Sequence, residues 1–159
     1  MNGILKNKIA LALLAFTLLT TTLFSCKKYA EDSGIHLYRT ANSRVTNTWG
    51  VAQVLVNSAD ATGSYNDFNP ELAFTIQRNG DYTVYCDGFV LDKTGTKNPY
   101  ITDVRGTWQF LDKKKNLGLT QGLFSSNIDK YEIIKLTKNE MWLRQKNGTT
   151  TTEIHYIAK

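Results

Sequence analysis

Cys86 and His155 are the residue types from which a thiol nucleophile and its general base are built. Strand alternation separates them. Cys86 falls on the inward side of a candidate strand, whereas His155 falls opposite Ile154 and Tyr156. Cys86 therefore reads as a small buried residue. His36 lies too far along the chain to argue a shared metal site with His155, and no carboxylate–histidine cluster has metal-ligand spacing. The carboxylates stand singly at strand edges and turns. No acid–base or nucleophilic constellation emerges, so the expectation is a protein that is not an enzyme and has no metal and no cofactor.

Asp92-Lys93-Thr94-Gly95-Thr96 matches the phosphorylation motif of P-type ATPases letter for letter. There the aspartate attacks a phosphoryl group at the end of a parallel strand, with Mg²⁺ and a nucleotide domain in attendance. This chain has no βαβ pattern and no later acidic magnesium motif, so the match reads as coincidence in a Gly/Lys-rich link. Lys93-Thr94-Gly95 also resembles the third motif of penicillin-binding enzymes. The matching Ser-x-x-Lys would be Ser25 to Lys28, which processing of the leader would split, and Ser125-Ser126-Asn127 follows the Lys-Thr-Gly instead of preceding it. Asn147-Gly148-Thr149 has the form of a glycosylation sequon, but an Asn-Gly hairpin turn accounts for it.

The amino terminus carries an address. Lys6 and Lys8 precede an apolar run from Ile9 to Leu19, then a Thr-rich stretch and Leu23-Phe24-Ser25-Cys26. Those four residues resemble the lipobox of bacterial lipoproteins: Leu at minus three, a small residue at minus one, Cys first in the mature chain. The resemblance implies a signal peptide over residues 1–25, diacylation of the Cys26 thiol and attachment to the bacterial cell envelope at the outer membrane. Acyl chains anchor stably because each buried methylene contributes about 0.8 kcal/mol. Cys86 is then the sole remaining thiol. Loss of Lys6 and Lys8 takes the basic side chains from 19 to 17 against 14 acidic ones, a net charge of +3. The basic residues are scattered, apart from Lys27-Lys28 and Lys113-Lys114-Lys115. No concentrated stripe marks a nucleic-acid partner.

Residues 26–44 are polar and without sustained period, which predicts a flexible tether reaching about 25 Å. From Val45 onward β-branched and aromatic residues alternate with polar ones between Gly/Asn/Asp/Lys clusters, and no segment has a helical period. Eight strands are expected, over residues 46–56, 71–78, 81–87, 104–111, 116–120, 130–136, 140–145 and 151–158. Short links favour a meander, and eight meandering strands lose their exposed edges by closing into an up-and-down antiparallel barrel. A β-sandwich is the competing architecture.

Several motifs in order carry a family resemblance. They are Thr48-Trp49 on the first strand, Leu72-Ala73-Phe74 followed by Asn79-Gly80-Asp81-Tyr82-Thr83 in a hairpin, and Gly106-Thr107-Trp108 opening the fourth strand. Tyr131 to Thr137 and Glu140-Met141-Trp142-Leu143 follow. Together, over residues 45–159, they resemble the lipocalin-like domain of Bacteroidetes-type lipoproteins. Asn47 stands where true lipocalins carry a Gly two residues before the first-strand Trp. The resemblance implies an eight-stranded barrel that takes a small hydrophobic ligand.

The more apolar face predicts a core of Trp49, Val51, Leu55, Leu72, Phe74, Ile76, Tyr82, Val84, Cys86, Trp108, Phe110, Leu117, Leu119, Ile134, Leu136, Met141, Leu143, Ile154 and Tyr156. Within it, Trp49, Phe74, Tyr82, Trp108 and Tyr156 are the candidate ligand-binding residues. Such bulk either fills the barrel or leaves a pocket at one mouth. In a meander the long links over 57–70, 88–103 and 121–129 share one end with the link at 146–150, and the tight ones share the other, where the tether also enters. The elaborated mouth, facing away from the membrane, is the expected binding end. Trp142, alternating against Met141 and Leu143, would point outward and could join Tyr85 and Tyr131 in an aromatic patch. Two functions follow from these readings: a lipid-anchored barrel binding a small ligand or partner through its long-link mouth, or a solid scaffold within an envelope protein complex.

Overall fold

The structure, a computed structural model, describes residues 29–30, 32, 40–69, 71–91, 93–122 and 125–159. Cys26, His36 and the leader lie outside the described residues. The elements run α1 (Ala41–Val45), β1 (Asn47–Val56), β2 (Ala59–Asp60), α2 (Thr62–Phe68), β3 (Ala73–Ile76), β4 (Asp81–Leu91), β5 (Lys97–Leu111), β6 (Asn116–Gln121), β7 (Asp129–Leu136), β8 (Glu140–Asn147) and β9 (Thr150–Ala158). Strands β1 and β3 to β9 pair in sequence order, each antiparallel to the last, and β9 returns to pair with β1. The result is a closed eight-stranded meander barrel, with β2 a two-residue flap on β1.

The tight links gather at one end, as a meander requires. Gly80 follows Asn79 in the β3–β4 turn with φ 96°, a left-handed value that glycine adopts without strain. This end is closed by packing. Val45, Trp49, Ile76, Leu117, Leu136 and Met141 all reach it and are all fully buried. The indole Nε1 of Trp49 donates to the carbonyl of Val45 at 2.9 Å, and that of Trp108 donates to Gln77 in the β3–β4 turn at 2.7 Å. Both indoles thus satisfy a turn or helix-end carbonyl while filling the base of the core.

Residues expected to form a loose tether are part of the fold. Tyr29, Asp32, Ala41, Arg44 and Val45 are buried, and α1 is capped by Thr40, whose side chain accepts from the Ser43 amide. The physical cause is a gap in the sheet. β6 and β7 pair only as far as Asn116↔Glu132, so the last residues of β7, paired with β8 on one side, face no strand on the other. Asp32 accepts from the Leu136 amide at 2.8 Å, and Arg44 donates to the Leu136 carbonyl. Two polar side chains replace the missing ladder.

Two further expectations are corrected. The link predicted over residues 88–103 is mostly strand: β4 and β5 continue as a paired hairpin to Leu91↔Lys97. The absence of helices is overturned by α1 and α2. Helix α2 spans only seven residues, and Asp60 starts it by accepting from the amide and hydroxyl of Thr62. So short a turn leaves no helical period to read.

Bulges redirect the core in two strands. On β1 the register shifts between Val51 and Gln53, so Val54 pairs with Ile154 on the core face and Leu55 pairs with Glu153 outside. Leu55, expected inward, is therefore replaced by Val54. On β7 the register shifts between Ile133 and Lys135. Ile133 and Tyr131 join the core, while Ile134 lines a groove on the outer flank.

Candidate functional site

Burial grades along the barrel interior. Side chains at the closed end are sealed, but Val51, Val84, Val104, Leu119, Tyr131 and Ile154, which pack against the same core toward the long-link end, are only partly buried. Val54 and Cys86, also toward that end, are buried. Helix α2 packs there on β1 and β4.

Three of the five expected binding residues meet in the buried interior, each paired directly with a closed-end residue: Phe74 with Trp49, Tyr82 with Ile76 and Tyr156 with Met141. The Phe74 ring lies 5.8 Å from Tyr82, edge to face, and 5.7 Å from Tyr156. The other two, Trp49 and Trp108, belong to the closed end, where their N–H groups are held by backbone carbonyls. Tyr131 is a member that the alternation missed. Without the β7 bulge it would face out; with it, Tyr131 pairs with Leu117 and packs on the core. Asp129 pairs with Leu119 two residues earlier on the same face, which puts a carboxylate at the rim.

The phenols form one electrostatic group. Burial pushes the Tyr82 phenol up, with the Asp129 charge adding to it. Burial does the same to Tyr131, helped by Asp129 and then Tyr82. Tyr156 is raised furthest, by burial first and then by Tyr65 and Tyr131. None of the Tyr82, Tyr131 and Tyr156 hydroxyls bonds to a described residue, although buried polar groups ordinarily find a partner. Among the described residues the fully enclosed side-chain polar atom without a partner is Arg44 Nε, so these phenol oxygens keep some accessible surface. Beside Tyr82, where β6 ends, a pocket of about 340 Å³ is lined by Arg105, Gly106, Thr107 and Gly122. Gly106 is needed there: a Cβ would strike the Thr120 carbonyl and the Tyr82 ring.

The expected outer aromatic patch does not form. Tyr131 is inside, Tyr85 is exposed on β4, and Trp142 on β8 is stacked on His155 with centroids 3.9 Å apart. Cys86 faces Asn69, 3.4 Å from its side-chain oxygen, and His155 is on the outer face against Glu153 at 2.6 Å. Asp92 lies outside the described residues, and Thr94 to Thr96 sit in the turn of an antiparallel hairpin. Among the described residues no group of three or more His, Cys, Asp or Glu side chains could hold a metal ion.

No family model matches the chain. No curated protein matches it either. Among solved structures it is similar to a lipocalin-like protein from Bacteroides uniformis, with a TM-score of 0.50 and 12% sequence identity, over 73% of this chain and 99% of that one. At that identity the likeness is one of fold. Fold and closure together define a lipocalin-like β-barrel.

Proposed function

We propose that the protein is a lipid-anchored envelope lipoprotein whose barrel binds a small, largely apolar ligand through its long-link end. The observation that carries this reading is the cluster of Phe74, Tyr82, Tyr131 and Tyr156 inside the barrel, apolar rings whose phenol hydroxyls have no partner among the described residues. Apolar walls with a few convergent polar groups are the ordinary build of a ligand site. The rings would hold an apolar body, and the hydroxyls would orient a polar group on it. Attachment through Cys26 would keep the site at a membrane surface.

The test is titration with the apolar dye N-phenylnaphthylamine. Wild-type protein should give a saturable fluorescence rise. Val84→Trp, which adds bulk directly beside Phe74, should weaken binding about tenfold or more, equivalent to about 1.4 kcal/mol. No saturable rise in the folded wild type would turn the assignment to the second reading, a scaffold for envelope proteins. That reading is favoured by the outer face of the β4–β5 hairpin, where Ile101 is 69% and Tyr85 43% exposed.

A further inference from the structure

We propose that the groove on the outer flank of β6 to β8, beside Tyr29, is a docking site for the phosphates of anionic phospholipid headgroups. It would seat the barrel on the bilayer that holds its own anchor. The inference rests on the reading of Cys26 as the lipidated residue.

The first argument is reach. Tyr29 is 3% exposed, and its hydroxyl donates to the Lys114 carbonyl at 3.0 Å. The Arg44 guanidinium lies 5.8 Å from its ring centroid. Asp32, three residues on, is fixed to Leu136. The chain is therefore held to the barrel at Tyr29 and at Asp32. Cys26 is three residues before Tyr29, and three residues span at most about 11 Å even when fully extended. Acyl chains on Cys26 would bring the bilayer surface that close to Tyr29. A long tether that lets the barrel tumble freely is incompatible with this attachment.

The second argument is charge. The surface next to that point is a groove of about 500 Å³ that starts at Tyr29 and Ala30 and runs along β7. Lys115, Lys130, Arg144 and Lys146 line it against one carboxylate, Glu132. Lys130 pairs with Asp112, and Arg144 pairs with Glu132 and Glu153. Lys115 and Lys146 have no ion pair among the described residues, which leaves two cations for an outside anion. A Debye length of about 10 Å at 0.1 M salt means that only cations held this near the surface feel anionic headgroups. Tyr29 borders the basic groove, so an anchor three residues before it brings that groove to the membrane. The long-link end of the barrel is left facing away.

The full lipidated protein, reconstituted in vesicles, tests this. A fluorophore is placed at Lys146→Cys in the groove or at Thr94→Cys on the hairpin tip, and the quencher is a nitroxide on lipid headgroups. In phosphatidylcholine vesicles containing phosphatidylglycerol, quenching at position 146 should exceed that at 94 several-fold. Adding Lys115→Glu and Lys130→Glu, or omitting phosphatidylglycerol, should remove most of the difference while the protein stays bound. Equal quenching at both positions in a retained protein overturns the docking. A difference unchanged by charge reversal overturns the phosphate assignment. Loss of the wild type from vesicles, with an unmodified amino-terminal peptide by mass, overturns the lipidation reading and this inference with it.

Discussion

Asp32 and Arg44 meet on the backbone of Leu136. One carboxylate oxygen of Asp32 takes the Leu136 amide at 2.8 Å, and the other lies 3.3 Å from Arg44 Nη1, which also donates to the Leu136 carbonyl. Both side chains are nearly inaccessible, at 1% and 7%. Removing one partner strands a buried charge, so Asp32→Ala should cost about 3–5 kcal/mol. The double variant Asp32→Ala/Arg44→Ala should cost less than the sum of the single changes, because the two residues act as one unit. Urea unfolding midpoints of the four proteins check this. Additive losses would show that the pair does not couple.

Gly106 marks the tightest approach between the wall and the site. Any Cβ there meets the Thr120 carbonyl, a backbone atom that cannot swing aside, as well as the Tyr82 ring. Gly106→Ala should therefore force β5 from β6 and destabilise by about 1–3 kcal/mol, the usual cost of overpacking. Gly63, whose Cβ would meet nothing within 4 Å, is the control site. Thermal melts of Gly106→Ala and Gly63→Ala should separate clearly.

The strand order and the closed end were legible because their signals are local. Asn79-Gly80 marks a hairpin, Trp49 and Trp108 sit in alternating runs, and each tight link is read within four residues. The candidate site was only half legible. Phe74, Tyr82 and Tyr156 lie on strands whose alternation is unbroken between them and the core. Val54 lies after the bulge at 51–53 and Tyr131 before the one at 133–135, and one extra residue puts the side chains on its two sides out of phase. No residue type announces a bulge. The packing of Tyr29 and Asp32 was illegible for a different reason: what they fill is a gap between β6 and β7, which exists only once the barrel has closed.

On the outer face Glu153 ties β8 to β9. It accepts from Arg144 at 2.9 Å and stands 2.6 Å from His155 Nε2. Burial pushes its carboxyl up, but the hydrogen bonds and charges of His155 and Arg144 outweigh that and hold it below the ordinary value of 4.5. A carboxyl lowered on folding adds stability that is present above its unfolded pKa and is lost as pH falls through the folded one. The wild type should lose stability as pH falls below 4.5, and Glu153→Gln should flatten that part of the profile. Urea midpoints at a series of acid pH values measure it. Parallel profiles would sink the assignment.

The phenols govern the alkaline limb. Tyr29 is pushed up to about 12 by burial, which outweighs the nearby Arg44 charge, and Tyr82, Tyr131 and Tyr156 are also raised above 10. A phenol raised on folding binds its proton more tightly in the native state. Its stabilising contribution is complete below pH 10 and is lost as pH climbs toward the folded values. Absorbance titration of the native protein should therefore show these four tyrosines ionising only with unfolding. Tyr156→Phe keeps the ring against Phe74 and removes one proton from that late step. Because its hydroxyl has no partner among the described residues, stability at neutral pH should change by less than about 1 kcal/mol. Binding should suffer more: a ligand that uses the hydroxyl loses a hydrogen bond, about tenfold in affinity. Such a split, with binding impaired and the fold intact, would identify Tyr156 as part of the site. Unchanged dye and ligand affinity in Tyr156→Phe, Tyr131→Phe and Tyr82→Phe would limit the cluster to packing.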